Sequence, residues 1–486
     1  MLGNETPLRH SRTMLFASRT SGRSELQLHM SSATVMVSID PLLHGAVSTA
    51  TVLLETLRRM PPSLVLDPTG LDATTIDTIV AAVTPIDPER GVDVGTRVPP
   101  GAIRVHIGPH SMIPCLRALP EGHGGHVISD PSITVEIQRR ASGLGCVTTA
   151  AMAATEIFKD LVQISDARCR RTAHTAFCPV TLSADLYAAP ELPDEITFDL
   201  GILGIGAVGT AVARVLSLLP MGGRVLLVDN QNFGVENVGT YSLGTTADAI
   251  SGVAKTALAA EVLTGWDVVR ADVPVQDLVR RIDAGEFFWP RLVISSFDNV
   301  EARFEAQRLW SDVLIDTGTG DTMVGIHELG PAGPCVRCVY PERRYSGSPL
   351  GDLASITELD PEYLAHGDAL LELQDVMALS PEKVELLLPH VGKKRCSLIN
   401  ALGLTDLFAD NFLPAAPFVA QLAASLAVGR LLSLLTGVGS DAMQVQYDVL
   451  VGPDRIHLDG LKPRPDCYCQ TSNELIARVR DARRSV

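Results

Sequence analysis

The spacing of apolar residues changes twice within residues 199–255, from a short continuous run to a helical period and back to a continuous run. The first run, at residues 200–203, is typical of a buried strand. A glycine-rich turn follows, then apolar positions at helical spacing, and the second apolar run ends at Asp229. This order predicts a strand, a turn, a helix and a second strand.

The part of the chain before this stretch shows a less regular pattern. Apolar runs at 64–66, 103–107 and 133–137 predict short strands, and residues 150–161 have the apolar spacing of a helix. Alternating α/β structure is therefore expected. The loop at 122–126 contains two histidines without a carboxylate or thiol at a ligand-like spacing, so we interpret it as a flexible polar loop rather than a metal site.

The most apolar long run lies near the other end of the chain, at residues 415–438. It approaches the length that spans a membrane, but it contains Gln421 and Arg430, so we expect a buried helix. Alternating residues at 444–450 and 455–458 predict one or two strands after it.

A proline-containing acidic connection without sustained periodicity precedes the opening stretch and marks a domain boundary. A second segment, rich in proline, leucine and acidic residues, interrupts the later domain. The expected organisation is a flexible tail at 1–30, a motif-poor α/β domain at 31–180, a linker at 181–198, a nucleotide-binding domain at 199–440 with an insertion at 341–411, and C-terminal strands with a thiol-containing tail at 441–486.

The turn after the first strand has the spacing GxGxxG, formed by Gly204, Gly206 and Gly209. The first glycine permits a tight turn, the second lets backbone N–H groups approach a phosphate, and the third lets the helix pack on its strand. Asp229 lies where the end of the second strand brings a carboxylate to a ribose hydroxyl. These features predict a nucleotide site.

Composition narrows the class of protein. The chain has 486 residues, enough for two or three domains, and 40 Lys and Arg against 56 Asp and Glu give a net charge of −16. That charge opposes binding to nucleic acid and to anionic membranes. The first residues are rich in Ser and Arg but lack the apolar region of a signal peptide, so a cytoplasmic protein is expected.

Four of the nine cysteines form two close pairs, Cys335 with Cys338 and Cys467 with Cys469. Two thiolate pairs that meet in space suit tetrahedral Zn²⁺, and the alternative is four free cysteines. A zinc site here would be structural, holding the C-terminal tail to the nucleotide-binding domain.

The residues after the glycine turn follow a recognisable order. Asn237 comes soon after Asp229, Lys255 opens the next helix, and Asp298 ends a later strand before the thiol pairs. This ordered set resembles the ThiF/MoeB/HesA superfamily of adenylating enzymes, which includes the ubiquitin-activating enzymes, over residues 196–341 and 414–437. The resemblance implies a Rossmann-like doubly wound sheet, a ThiF-type adenylation domain, preceded by a second α/β domain that is a degenerate homologous half.

The resemblance also implies a role for each matching residue. The three glycines would cradle ATP and Asp229 would bind its ribose. The remaining three positions would act at the phosphates: Asn237 near them, Lys255 neutralising charge as pyrophosphate leaves, and Asp298 holding Mg²⁺. Without the resemblance, Lys255 is equally well interpreted as a solvated helix residue and Asp298 as a strand-end cap.

The implied reaction is attack of a carboxylate on the α-phosphate of ATP, which gives an acyl-adenylate and pyrophosphate. The partner would be a small ubiquitin-like or sulfur-carrier protein, or a precursor peptide, with its C-terminal tail running past residues 318–320. The chain departs from the family pattern at Thr240, where an arginine is expected. Either another arginine replaces it, such as Arg170, Arg171 or one from the N-terminal tail or a second subunit, or the site binds nucleotide without strong catalysis.

Cys396 follows three cationic residues, which lower a thiol pKa. In family members that form thioesters, a cysteine lies in an insertion at about this place, so Cys396 is a candidate catalytic thiol; the alternative is a cysteine beside a solvated run of charge. Arg303 is expected to be structural, paired near its own strand. Association is expected as a homodimer or as an internal pseudodimer.

Two other functions fit part of the pattern. The first is a non-catalytic ThiF-like partner that binds and presents a substrate peptide in a peptide-modification pathway, which the missing arginine favours. The second is a nicotinamide-dependent dehydrogenase, which explains the glycines and Asp229 but not Lys255, Asp298 or the thiols.

Overall fold

The computed structural model describes residues 23–111, 114–162, 170–320, 322–331, 333–340, 349–366, 369–393, 395, 398, 416–439 and 441–484. These residues divide into two compact units, of which the smaller is Tyr340–Leu413 and the larger contains the chain on both sides of it. The segment boundaries expected from the sequence, including the insertion at 341–411, stay predictions. Cys396 lies outside the described residues.

The N-terminal part of the larger unit builds one sheet with helices against it. Its elements in chain order are α1 Arg23–Ser32, β1 Thr34–Ile39, α2 Ala46–Arg58, β2 Ser63–Leu66, α3 Ala73–Val83, β3 Asp93–Val94, β4 Ile103–Ile107, β5 Leu116–Glu121, β6 Gly124–Ile128, α4 Gly143–Val162 and β7 His174–Phe177.

The later part of the larger unit builds a second sheet. Its first elements are β8 Ile196–Thr197, β9 Leu200–Leu203, α5 Ala207–Leu216, β10 Met221–Val228, α6 Val235–Val238, α7 Thr246–Ser251, α8 Lys255–Val262, β11 Trp266–Ala271, α9 Val275–Asp283, β12 Leu292–Ser295, α10 Val300–Gln307, β13 Val313–Gly320, β14 Met323–Leu329 and α11 Val336–Val339.

The chain then forms the smaller unit and returns. The smaller unit contains α12 Pro349–Thr357, α13 Pro361–Ala365, α14 Leu373–Met377 and α15 Pro381–Leu387, and it has a leucine-rich core of its own. The larger unit resumes with α16 Pro417–Thr436, β15 Gln444–Asp448, β16 His457–Asp459, α17 Tyr468–Thr471 and α18 Asn473–Arg484.

The two sheets share one strand order over seven strands, and the second adds β16 at its edge and β8 beside β10. The first has the strand order β3-β2-β1-β4-β5-β6-β7, and the second has β11-β10-β9-β12-β13-β14-β15-β16. In each, the strands from the first edge through β5 or β13 are parallel and the next two pairings are antiparallel. In register, Leu200 of β9 pairs with Val225 of β10 and with Leu292 of β12. The α/β fold class is thereby confirmed, and the repeated order agrees with a degenerate homologous half.

The core lies where the halves meet. Helices α4 and α16 are both 20 residues long, and each follows one antiparallel strand of its own half in the sequence and precedes the next. The two helices contact each other through Phe158 and Phe418, whose ring centres are 5.2 Å apart. The expected buried helix is confirmed, since α16 passes the length and hydropathy test for a membrane span but 89% of its most apolar window is buried.

Two expectations for the first half are wrong. Residues 133–137 form no strand, although their apolar residues alternate. The loop at 122–126 is not a flexible polar loop, because His123 and His126 are 5% and 8% exposed, and His126 lies on β6. Burial is tolerated because their nitrogens have partners, Pro190 O at 2.7 Å from His123 and Glu121 at 3.2 Å from His126.

Candidate functional site

The glycine turn lies at the point where the strand order of the second sheet reverses. The chain passes from β9 to β10 on one side and later to β12 on the other, so the carboxyl ends of β9 and β12 are neighbours. Ligands of open α/β sheets bind in the crevice at such a point. Ser296, just after β12, donates its hydroxyl to Gly204 O at 2.6 Å.

Each glycine of the turn has a steric reason. Gly204 has a φ of +84°, which favours glycine. A Cβ on Gly209 would lie 2.1 Å from Gly204 O, so only glycine lets helix α5 approach its strand. Gly206 precedes the first turn of α5, where free backbone N–H groups and the helix dipole favour a bound phosphate. The first half has no equivalent motif, because only Gly45 is a glycine among residues 40–45.

Asp229 follows β10 and faces the glycine turn. Its carboxylate accepts hydrogen bonds from the N–H groups of Ile205 and Gln231, each at 2.8 Å. Burial raises the pKa of the Asp229 carboxyl, and the charge of Asp298 adds to this effect against the opposing charge of Lys255 and the two N–H bonds. The carboxylate is thus held at the turn, at the end of the strand next to β9.

Lys255 begins helix α8 with its ammonium turned toward the same carboxylates. It is 5% exposed, and Nζ donates to Gln231 Oε1 at 2.6 Å. Burial alone would lower its pKa, but the phenol of Tyr241 and the carboxylates of Asp229 and Asp298 outweigh burial and raise the pKa above the ordinary value. A solvated helix residue is therefore the wrong interpretation of Lys255.

Asp298 is exposed beyond the end of β12. The alternative interpretation of Asp298 was a capping residue at the strand end. The residue that caps here is Asn299, whose Oδ1 accepts the N–H of Ala302 at the start of α10. Asn299 also donates to Asp298 at 3.2 Å. An exposed carboxylate that acts on both Lys255 and Asp229 is suited to meet a hard cation together with phosphate oxygens.

The segment at the missing arginine is buried. Asn237 Oδ1 accepts the N–H of Gly234 at 2.9 Å and so caps the short helix α6. Thr240 is 4% exposed and its hydroxyl donates to Asn237 O at 3.2 Å. The two arginines named as possible replacements have other surroundings. Arg171 pairs with Asp160, and Arg170 is exposed in the first half.

Arg303 lies on helix α10 and pairs with a buried carboxylate of the second sheet. Its guanidinium binds Asp316 of β13 and donates to Thr317 O at 3.3 Å. Asp316 is fully buried and His327 lies 3.7 Å from its carboxylate. The expected structural pairing of Arg303 agrees with these contacts.

The four paired cysteines meet in space. Their sulfurs lie within 4.8 Å of one another, and they are the one group of three or more candidate metal ligands found in the described part of the chain. Cys335 and Cys467 are 3.5 Å apart, and Cys338 and Cys469 are 3.6 Å apart. A tetrahedral ion with metal–sulfur bonds of about 2.3 Å separates its sulfurs by about 3.8 Å, so the donor set fits such an ion.

Sequence reasoning missed two residues of this region. Tyr241 is 7% exposed with its ring centre 5.3 Å from Lys255 Nζ. Arg59, from the end of helix α2 in the first half, donates to the carbonyl oxygens on either side of Tyr241. Tyr241 could have been found from the sequence, because it directly follows Thr240, the position where the chain departs from the family pattern. Nothing in the sequence around Arg59 indicated a contact with the second half.

Solved structures with some likeness to this chain include MccB of E. coli bound to MccA-N7isoASN, at 15% identity with a TM-score of 0.36, and MccB of E. coli bound to ATP, at 14% identity with a TM-score of 0.34. Each match covers 56% of this chain and 66% of the other. TM-scores this low support no argument about activity or substrate.

The comparison with curated proteins found no match. The sequence itself matches the ThiF family over residues 197–469, which include the glycine turn and all four clustered cysteines. Because this match covers more than half of the chain, the protein belongs to the ThiF family.

Proposed function

We propose that the protein adenylates a carboxylate with ATP. A carboxylate oxygen attacks the α-phosphorus, the bond from that phosphorus to the bridging oxygen breaks, and pyrophosphate leaves with the bond's electrons. The observation that carries the proposal is the meeting of Lys255, Asp229 and Asp298 around the glycine turn at the switch point of the second sheet. Positioning and charge neutralisation are what such a step needs from a protein.

Each residue has a place in this step. The N–H groups at the start of α5 bind phosphate, and Asp229 accepts the ribose hydroxyls. Lys255 keeps a positive charge throughout the neutral pH range, so it stabilises the charge that develops on departing pyrophosphate. Asp298 would hold Mg²⁺ together with phosphate oxygens, and the ion would supply further neutralisation of charge.

The acceptor would be the C-terminal carboxylate of a small ubiquitin-like or sulfur-carrier protein, or of a precursor peptide. Its tail would run along the end of β13 at residues 318–320, because that strand neighbours β12 and its carboxyl end lies at the same edge as Asp298. A later transfer to a thiol such as Cys396 is a separate step that the adenylation does not need.

We also propose Zn²⁺ as the ion of the four-cysteine cluster. Cys335 directly precedes α11 and Cys338 lies within it, while Cys467 directly precedes α17 and Cys469 lies within that helix. Zinc there would join the C-terminal helices to the second sheet without taking part in the reaction. The internal repeat further suggests an internal pseudodimer, in which the motif-poor half takes the place of a second subunit.

The alternative is a non-catalytic partner that presents a peptide to another enzyme. The buried Thr240 at the arginine position favours it. Calorimetric titration with ATP and Mg²⁺ separates the two functions, since a partner without a nucleotide site gives no binding heat. Exchange of labelled pyrophosphate into ATP in the presence of acceptor tests the reaction itself. No binding heat, together with no exchange for any acceptor, would support the alternative.

A further inference from the structure

The guanidinium of Arg59 reaches from the first half of the chain into the second. Nη1 donates to Val238 O at 2.8 Å, and Nη2 donates to Ser242 O at 3.1 Å and to Gly244 O at 3.2 Å. Arg59 is 2% exposed, and its planar fork holds three carbonyl groups of one segment in a fixed arrangement. The segment that it holds is the one in which the family arginine is missing.

Arg59 is committed to this segment and cannot itself serve a phosphate. Burial lowers its pKa to about 10, so the guanidinium is charged at neutral pH and its bonds to carbonyl groups are charge-assisted. A second contact from the first half supports the same region. Thr246 donates its hydroxyl to Ile86 O at 2.7 Å, and Ile86 packs in one cluster with Phe233 and Tyr241.

Tyr241 lies at the centre of the held segment, between the glycine turn and Lys255. Its hydroxyl oxygen is 3.8 Å from the point that a Cβ on Gly206 would occupy. Its ring centre is 5.3 Å from Lys255 Nζ, and the phenol contributes to the raised pKa of that ammonium. A phenol hydroxyl can donate a hydrogen bond to a phosphate oxygen.

We propose that Tyr241 binds the phosphates of the nucleotide in place of the missing arginine, and that Arg59 is a positioning residue that holds it there. This inference rests on the proposed function, since it concerns the same site. The hydroxyl of Thr240 cannot fill the role, because it donates to Asn237 O in a buried position. The phenol belongs to the next residue along the chain, its hydroxyl lies beside Gly206, and its ring lies near the ammonium of Lys255.

The chain supplies a matched control in the preceding residue. Arg58 is fully buried, and its pKa is likewise lowered to about 10. It also binds carbonyl groups, but these belong to Arg90, Gly91, Met60 and Pro62 of the first half. Removing either arginine removes similar interactions, and only Arg59 contacts the segment that contains Tyr241.

The experiment measures the dissociation constant of ATP with Mg²⁺ by calorimetry, and thermal stability in parallel, for the full chain. The variants are Arg59→Met, Arg58→Met, Tyr241→Phe and the double variant Arg59→Met with Tyr241→Phe. We expect Arg59→Met and Tyr241→Phe each to weaken binding by about threefold to tenfold. The double variant is expected to lose no more than the worse single variant, because Arg59 acts through Tyr241. Arg58→Met is expected to lose stability but no affinity.

Three results would overturn the inference: equal loss of affinity in both arginine variants, additive losses in the double variant, or wild-type affinity in Tyr241→Phe. The last variant changes one hydroxyl and so decides the matter even when the arginine variants fail to fold. Unaltered binding in all variants, with a wild-type protein that binds ATP, contradicts only this inference. A wild-type protein that binds no ATP contradicts the proposed function as well.

Discussion

The sulfur of Cys335 lies 3.5 Å from the sulfur of Cys467, 132 residues further along the chain. The contact joins the C-terminal tail to the second sheet beyond β14. Helix α18 is held beside it, since Arg480 donates to Trp310 O at 3.1 Å and pairs with Asp312. The tail therefore has two independent attachments, of which one depends on the thiols.

Loss of one thiol tests the metal assignment. We expect the purified protein to contain one zinc per chain, measured by elemental mass spectrometry, and Cys469→Ser to lose it because one of four ligands is gone. The free energy of unfolding is expected to fall by about 3 kcal/mol or more. Cys115→Ser, which changes a thiol outside the cluster, is the control and retains the metal. Equal metal content in both variants would contradict the zinc site.

Lys255→Met removes the buried ammonium at the nucleotide site. We expect the dissociation constant of ATP to rise by about tenfold to a hundredfold, since charge-assisted hydrogen bonds contribute about 1.5–3 kcal/mol. Calorimetry measures the change. The control is Lys159→Met, because Lys159 is a buried lysine of the first half paired with Glu156. That variant is expected to lose stability while the folded protein binds ATP normally; the opposite pattern would remove Lys255 from the site.

The raised pKa of Asp229 predicts a pH dependence of ATP binding. Only the ionised carboxylate accepts from both ribose hydroxyls, so affinity is expected to fall on acidification, with a midpoint above the ordinary carboxyl value of 3.8. The same shift acts on stability in the other direction. Because the pKa is higher in the folded protein than in the unfolded chain, the contribution of this group to stability is greatest below pH 3.8 and is lost as pH rises through the folded pKa.

Calorimetric titrations between pH 4 and pH 8 check this dependence. ATP itself titrates in the range, so the wild-type profile is compared with that of Asp229→Asn, which has no carboxyl group at this position. The difference between the two profiles is expected to disappear at the acidic end. Parallel profiles over the whole range would contradict the role of Asp229.

Arg303 and Asp316 form a buried pair that is expected to matter for folding and not for chemistry. Arg303→Met leaves the fully buried Asp316 carboxylate without its cation, so we expect a loss of about 3–5 kcal/mol in the free energy of unfolding. Adding Asp316→Asn is expected to restore part of it. Chemical denaturation measures both. A double variant no more stable than Arg303→Met would show that the pair is not the source of the loss.

The opening stretch of the second half was predictable because its local signals agree. The apolar run at 200–203, the glycines with their steric demands and the helix after them require no distant partner. The buried helix α16 was predictable for a similar reason, since its composition excludes both a polar surface and a membrane span. Where every local preference points to one structure, the sequence is sufficient.

The remaining features depend on contacts between distant residues. His126 looked like part of a polar loop because its acceptor, Glu121, belongs to the neighbouring strand of a hairpin. The contact of Arg59 with residues 238–244 spans about 180 positions and leaves no periodic trace. The sequence showed that Thr240 departs from the family pattern. A residue that replaces the missing arginine could be sought only once the structure placed Tyr241 beside Gly206 and Lys255.

Pyrophosphate exchange tests the central claim most directly. Labelled pyrophosphate, ATP and Mg²⁺ are incubated with the protein and either carrier proteins ending in Gly-Gly or short peptides with free C-terminal carboxylates, and label in ATP is measured. Each acceptor is paired with its C-terminally amidated form, which has no attacking carboxylate, and Asp298→Ala serves as the inactive protein. The account predicts exchange with at least one free carboxylate, none with its amide and none with the variant. Exchange that is equal for acid and amide, or absent with every acceptor while ATP binds, would contradict it.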